Sequence, residues 1–292
     1  MLSCIVFVSN WKKNFSFMVT IKKKFKNINY SYVIGRFSPE IGSKFQHFPI
    51  SSWEKDLQFA KKFKFDGTEW IISDFSNPIF NENFRKIIKK KLRQNKLKIC
   101  SISLDLIMDN PLHLINKQDV TWLANQLKKI IKFFHVKRVS IPIEERSRFN
   151  NYIEKVNSLR NLKLFYKNIS NITNLCVETD LSPYNLSKLL KLRKFKKLGV
   201  LLDIGNTKAH GFPVENFFHL FSTKIFGIHV KYRNSFFSKT SHIKKGFSEL
   251  KFIIKNIDKL ENCQDITFQT FKSKNKFIKD MSISLSNFNN YV

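Results

Sequence analysis

Short apolar runs of six or seven residues recur along this chain, each separated from the next by a segment with apolar positions three or four apart. Runs this short and evenly apolar predict strands buried on both faces, and the spaced segments predict amphipathic helices. The first strand is expected at Tyr32 to Phe37, followed by a long loop and a helix from Trp53 to Phe63. Ser51 or Ser52 can cap that helix, Glu54 and Asp56 suit its first turn, and Leu57, Ala60 and Phe63 share a face. Further strands are expected at Gly67 to Ile72, Lys98 to Leu104, Arg138 to Ile143, Asn174 to Thr179, Leu198 to Asp203, Ile225 to Lys231 and Asp265 to Phe271. The intervening helices are expected at Asn83 to Arg93, Asp119 to Phe134, Asn150 to Leu159, Pro183 to Arg193, Pro213 to Phe221 and Ser248 to Leu260, with a last one after Ser273. Eight strand-then-helix units over about 260 residues predict an α/β protein with a single-domain (β/α)8 TIM barrel. An open doubly wound sheet is the alternative, but it more often begins with a glycine-rich phosphate turn, and neither GxGxxG nor GxxxxGK[ST] is present.

Composition changes this picture little. A hydrophobic content of 42% with 8 Gly and 7 Pro describes a chain that buries a core. Residues 1–29 are basic and unpatterned, and are expected to be an N-terminal extension or a start placed too early, ahead of Met18; residues 30–292 are expected to be the barrel. The formal charge of +30 would ordinarily point to nucleic acid or an anionic membrane surface. Here the lysines are spread over most expected helices, with one dense run at Lys89 to Lys98, and the chain is also rich in Asn, Ile and Phe. We read the charge mainly as solvated helix faces that would still attract an anionic substrate, and nucleic acid as an unfavoured partner. Cys4, Cys100, Cys176 and Cys263 show neither CxxC spacing nor a disulfide framework, and Cys100 and Cys176 fall inside expected strands. A reducing, cytoplasmic setting is therefore expected, with no membrane partner, since no apolar run approaches the roughly 20 residues a span needs. A homo-oligomer is left open.

Chemistry-bearing residues stand at the C-terminal ends of four successive expected strands: Glu178, Asp203, His229 and Gln269. In a barrel those ends share one mouth. Taken singly, Asp203 reads as a turn residue and His229 as a core histidine; their common register on consecutive strands points instead to one site. Two carboxylates, an imidazole and an amide oxygen suit Mn, Mg, Co or Zn rather than a structural thiolate zinc site. A metal beside a carboxylate suits proton transfer next to a carbonyl, with Glu178 serving as ligand and base. Glu69, amid the second strand, is a candidate for a sugar hydroxyl. Asn206, three residues past Asp203, is a candidate substrate contact, with Gly205 letting that turn approach the mouth.

These residues carry a resemblance. From about Tyr32 to Lys272 the chain is similar to the sugar phosphate isomerase/epimerase family, the xylose isomerase-like TIM barrels. The matching segments are GRFSP, QHFP, WEKDLQFAKKFKFDGTEW and NPI in the N-terminal half, and VETDLSP, LDIGNTKAHGF, HVKYR and FQTFK in the C-terminal half. The resemblance implies a divalent metal on Glu178, Asp203, His229 and Gln269, and isomerisation or epimerisation of a sugar or sugar phosphate. In the best-known epimerases two metal-bound glutamates face opposite sides of the substrate. Glu178 matches the first, whereas the second position holds Gln269, which cannot exchange a proton. Relatives usually read HIKDR where this chain has Tyr232, so Lys231 or Arg233 is expected to lack its carboxylate partner or to be free for a substrate anion. His242, in the loop after Arg233, reads as a solvated loop histidine, with substrate contact as the alternative. The alternative function is a divergent barrel that binds a sugar or polyanion without turnover. A DNA-repair nuclease of the endonuclease IV type shares the barrel but needs several metal-binding histidines, and most of the seven here lie outside the expected strand ends.

Overall fold

The structure, a computed structural model, describes residues 27–39 and 46–292. The expected extension therefore lies almost wholly outside the described residues, although Asn29, assigned to it, begins the first strand. The strands are β1 (Asn29–Val33), β2 (Gly67–Ile71), β3 (Lys98–Ser103), β4 (Arg138–Ile143), β5 (Asn174–Thr179), β6 (Gly199–Asp203), β7 (Ile225–Val230) and β8 (Asp265–Phe268). Each pairs in parallel with the next, and β1 pairs with β8, so the sheet closes into the predicted single-domain (β/α)8 barrel. The principal helices are α1 (Trp53–Lys62), α2 (Glu82–Asn95), α3 (Lys117–Phe134), α4 (Tyr152–Ile169), α5 (Pro183–Leu190), α6 (Val214–Phe221), α7 (Ser248–Asn256) and α8 (Phe277–Asn289). No helix among the described residues is long and apolar enough to cross a membrane.

Local chemistry explains where expectation and structure part. The first strand ends four residues earlier than expected because the chain turns at Gly35, whose φ of +96° is open to glycine at little cost. Ser52 precedes α1, but its hydroxyl donates to Ser38 Oγ and leaves the helix uncapped by that side chain. Asn116 and Asn151 do cap α3 and α4, accepting from the backbone N–H groups of Asp119 and Glu154. Helix α4 runs ten residues beyond the expected Leu159, and Asn161 on its buried face had masked the apolar period. That amide donates to Leu112 O and Ile115 O, which satisfies a polar group the interior would otherwise penalise.

The barrel interior is polar at its N-terminal end. Arg138 of β4, fully buried, donates to Asp265 through Nε and Nη2 at 3.0 and 2.7 Å, and through Nη2 to Glu69 Oε2 at 2.8 Å. Ser101 Oγ donates to the same Glu69 oxygen, and Thr267 Oγ1 to Asp265 Oδ1. The guanidinium needs the space above Gly227: a Cβ there would lie 2.5 Å from Arg138 Nε. Cys100 and Cys176 are buried, as expected for core thiols.

Candidate metal and substrate site

The alternation along β6 and β7 brings Asp203 and His229 side by side, as register partners at the C-terminal ends of their strands. Glu178 reaches the same point from β5. One oxygen of Glu178, one of Asp203 and a ring nitrogen of His229 all lie within 4.8 Å of one another, and all three residues are buried. His229 Nδ1 is 3.4 Å from Glu178 Oε1 and 3.9 Å from Asp203 Oδ2. On the other side of the ring, Nε2 is 2.8 Å from Glu69 Oε1. That contact fixes Nε2 as the donor and turns Nδ1 toward the two carboxylates, the arrangement by which a carboxylate orients a metal-binding histidine.

Glu178 Oε1 and His229 Nδ1 are buried yet lack a hydrogen bond of good geometry. Buried polar atoms are seldom left so, and a facing carboxylate oxygen and imidazole nitrogen suit a borderline cation such as those expected. The donor set thus fits a divalent metal. Asp203 is engaged differently: Oδ1 accepts from the backbone N–H of Asn206 at 2.8 Å and Oδ2 pairs with Lys231 Nζ at 2.7 Å. Gln269 stands one residue past β8 and meets the group only through Lys231, whose Nζ donates to Gln269 Oε1 at 3.0 Å. Its amide nitrogen donates to Gln46 Oε1.

Burial raises the cost of every charge here, and the neighbours decide the outcome. For His229 burial works against the cation, but Glu69 and Glu178 outweigh it and carry the pKa to about 10. The imidazole of the metal-free protein therefore holds two protons at neutral pH. For Lys231 burial is again outweighed, by Asp203, Glu178 and Glu144, so the ammonium is firmly retained. Asp203 is held below the usual carboxylate range because Lys231 and His229 overcome its burial.

The site opens into a cavity of about 420 Å³ whose lining includes Glu178, Asn206, Lys231 and Gln269. It also includes three residues the sequence reading passed over: Gln46, Asp105 and Glu144. Asp105 and Glu144 follow the ends of β3 and β4, the same strand-then-acid pattern that drew attention to Asp203, so the signal was present one quarter-turn further round the barrel. Burial, with the charges of Glu178 and Glu69, pushes Asp105 up to about 6 against the hydrogen bonds from Ser103 and Gln46. Burial and Glu178 push Glu144 well above the carboxylate range; its Oε2 accepts from Asn206 Nδ2 at 3.0 Å.

Three expectations change. Glu69 is fully buried with both oxygens engaged below His229, so it orients the imidazole and does not face the cavity. Lys231 and Arg233 do not lack partners in the absence of an aspartate at Tyr232: Lys231 holds Asp203 and Gln269, and Arg233 donates to Glu145 Oε1 and Asn206 Oδ1. Tyr232 itself is buried and packs edge-on against Phe247. His242 lies against Phe271 and pairs with Asp280 at 3.3 Å, outside the cavity lining.

No protein-family model and no curated protein sequence matches the chain. Solved structures do. A xylose isomerase domain protein from Alicyclobacillus acidocaldarius superposes with a TM-score of 0.68 at 8% identity, covering 90% of this chain and 98% of that one. A xylose isomerase-like TIM barrel protein from Mycobacterium smegmatis, solved in complex with magnesium, gives 0.65 at 14% identity over 90% and 97%. D-Allulose 3-epimerase from a Methylomonas species, solved with D-allulose, gives 0.62 at 11% identity over 88% and 90%. At these identities the likeness establishes the fold: this chain is built as the xylose isomerase-like TIM barrels are built.

Proposed function

We propose that the protein is a divalent-metal-dependent isomerase or epimerase of a sugar or sugar phosphate. The observation that carries this reading is the buried trio of Glu178, Asp203 and His229 at the barrel mouth, with Glu178 Oε1 and His229 Nδ1 unsatisfied. Magnesium and a ketose bound by structural neighbours support it. Glu178, Asp203 and His229 would hold the ion, with Gln269 Oε1 available once Lys231 yields it. Such an ion supplies Lewis-acid polarisation of the substrate's carbonyl and adjacent hydroxyl.

The chain's own groups supply the rest. Glu178 takes the proton from the carbon beside the carbonyl through the carboxylate oxygen that the ion would not hold. Lys231 presents a fixed positive charge to the oxygen that becomes anionic as that proton leaves, and Asn206 binds a hydroxyl at the cavity wall. Gln269 cannot return a proton. Glu144, pushed toward its neutral form by burial and Glu178, and Asp105, raised to about 6, line the same cavity and are the groups placed to do so.

The test is metal analysis of the purified protein joined to deuterium wash-in from solvent across free and phosphorylated ketoses. The reading expects one equivalent of a divalent ion and incorporation at a carbon next to the carbonyl. A folded protein that binds no divalent ion would sink it. Retained metal without incorporation into any ketose would favour the divergent binding barrel, in line with the amide at Gln269.

A further inference from the structure

Beside the cavity that holds Glu178 lies a second, of about 580 Å³, and the two share Gln46, Glu145, Lys231 and Gln269 as a common wall. Their charges are opposite. The first is lined by five acidic residues, Asp105, Asp109, Glu144, Glu145 and Glu178, against two cations, Arg146 and Lys231. The second is lined by four cations, Lys231, Arg233, Lys239 and Lys272, against the single carboxylate Glu145. Glu145 is itself neutralised by Arg233 at 2.9 Å. The second lobe is built from the segments that follow β7 and β8, the part of a (β/α)8 barrel that most often cradles a phosphate.

The donors there differ in readiness. Arg233 is tied to Ser238 O, Phe236 O, Glu145 and Asn206, so it shapes the loop. Lys272 donates to Gly35 O and Ser38 O and contributes charge from the buried floor. Lys239 Nζ and Thr240 Oγ1 make no hydrogen bond or ion pair among the described residues, and both border the lobe. A phosphate monoester gains more from a pocket of this sign than an uncharged sugar does.

The geometry points to a two-lobed substrate site: the basic lobe between the β7 and β8 loops, with Lys239 as a cation unpaired among the described residues, receives the phosphate monoester at the far end of a ketose whose carbonyl end meets Glu178. This deepens the proposed isomerase reading and rests on it for the orientation of the sugar, but phosphate binding itself does not depend on turnover.

Inorganic phosphate is the probe, titrated by calorimetry into the intact wild-type protein and into Lys239→Ala, Glu178→Gln and Lys129→Ala. Lys129 is an exposed cation on α3, away from both cavities, and controls for the general basic charge. We expect phosphate to bind and Lys239→Ala to weaken it about tenfold, the size of a lost charge-assisted hydrogen bond. Lys129→Ala should leave it unchanged, and Glu178→Gln, which only removes a negative charge near Lys231, should not weaken it, so failure of the catalytic reading would not mask the result. Equal binding by Lys239→Ala and wild type overturns the proposal, as does acetate binding as tightly as phosphate, which would make the lobe a carboxylate site. Where a ketose phosphate turns over, Lys239→Ala should raise its KM about tenfold while kcat and the KM for the free ketose hold; an equal change for both sugars also overturns it.

Discussion

Two groups of buried charge sit one above the other in this barrel, and they are built on opposite principles. In the lower one every carboxylate oxygen is used: Glu69 by His229, Arg138 and Ser101, and Asp265 by Arg138 and Thr267. In the upper one Glu178 Oε1 and His229 Nδ1 face each other without a good hydrogen bond. His229 belongs to both, with one ring nitrogen in each. Apart from Arg138 Nη1, the lower network is satisfied and returns rigidity for its desolvation cost; the unsatisfied oxygen and nitrogen of the upper one can be satisfied by a cation. The lower group therefore serves as the mount and the upper group as the working surface.

Breaking the mount should have the largest effect. Arg138→Met leaves Glu69 and Asp265 buried without their shared cation, and is expected to cost about 3–5 kcal/mol of stability in a urea titration. A loss below about 1 kcal/mol would mean that water or a shifted side chain already compensates the pair. The working surface should behave in the opposite way. Glu178→Gln removes the proposed base, whose Oε1 has no hydrogen-bond partner, so stability should hold within about 1 kcal/mol while deuterium exchange falls roughly 10²–10⁴-fold. If that variant instead unfolds readily with little change in exchange, the two groups have been assigned the wrong way round.

What the sequence disclosed follows the same division. Strands β4 and β5 were legible to the residue because their apolar runs end in polar ones, and Glu178, Asp203 and His229 stood out because each closes such a run. Glu69 was misread since nothing local reveals that its partners are Arg138 and His229, 69 and 160 residues away. Asp105 and Glu144 were legible in principle, as acids just beyond strand ends. Gln46 was not: it lies in a loop, and only the folded chain brings it to Asp105 and Gln269.

The shared histidine can be tested through Glu69. Glu69→Gln removes the charge that orients and protonates His229, and metal affinity should fall about 10–100-fold with the fold intact. The same contact governs pH behaviour of the metal-free protein. Burial would raise Glu69, but His229 and Arg138 carry it down to about 2 from 4.5, so its contribution is present above pH 4.5 and lost as the pH falls toward 2. His229 is raised from 6.5 to about 10, so its contribution is complete below pH 6.5 and lost as the pH rises toward 10. Stability of the metal-free protein should therefore decline from pH 6.5 upward. A divalent ion held as proposed would take the place of the Nδ1 proton and should bind more tightly over that same range. Chemical denaturation at stepped pH, with and without chelator, checks both; an identical decline in Glu69→Gln would show that another group is responsible.

The finest distinction concerns Gln269, the only expected ligand that belongs to neither group. Gln269→Glu would place a carboxylate against Lys231 Nζ, now 3.0 Å from the amide oxygen, and would remove the N–H that Gln46 Oε1 accepts. The new charge is then largely spent on Lys231, which already neutralises Asp203. Metal affinity should consequently rise less than about tenfold, a single partly screened ion pair's worth. A much larger gain, measured by competition with a chelator of known affinity, would mean that Lys231 swings away when the ion enters. The mouth would then be as open on the β8 side as it is at Glu178, and the amide at 269 would be what keeps a second proton-transfer carboxylate out of it.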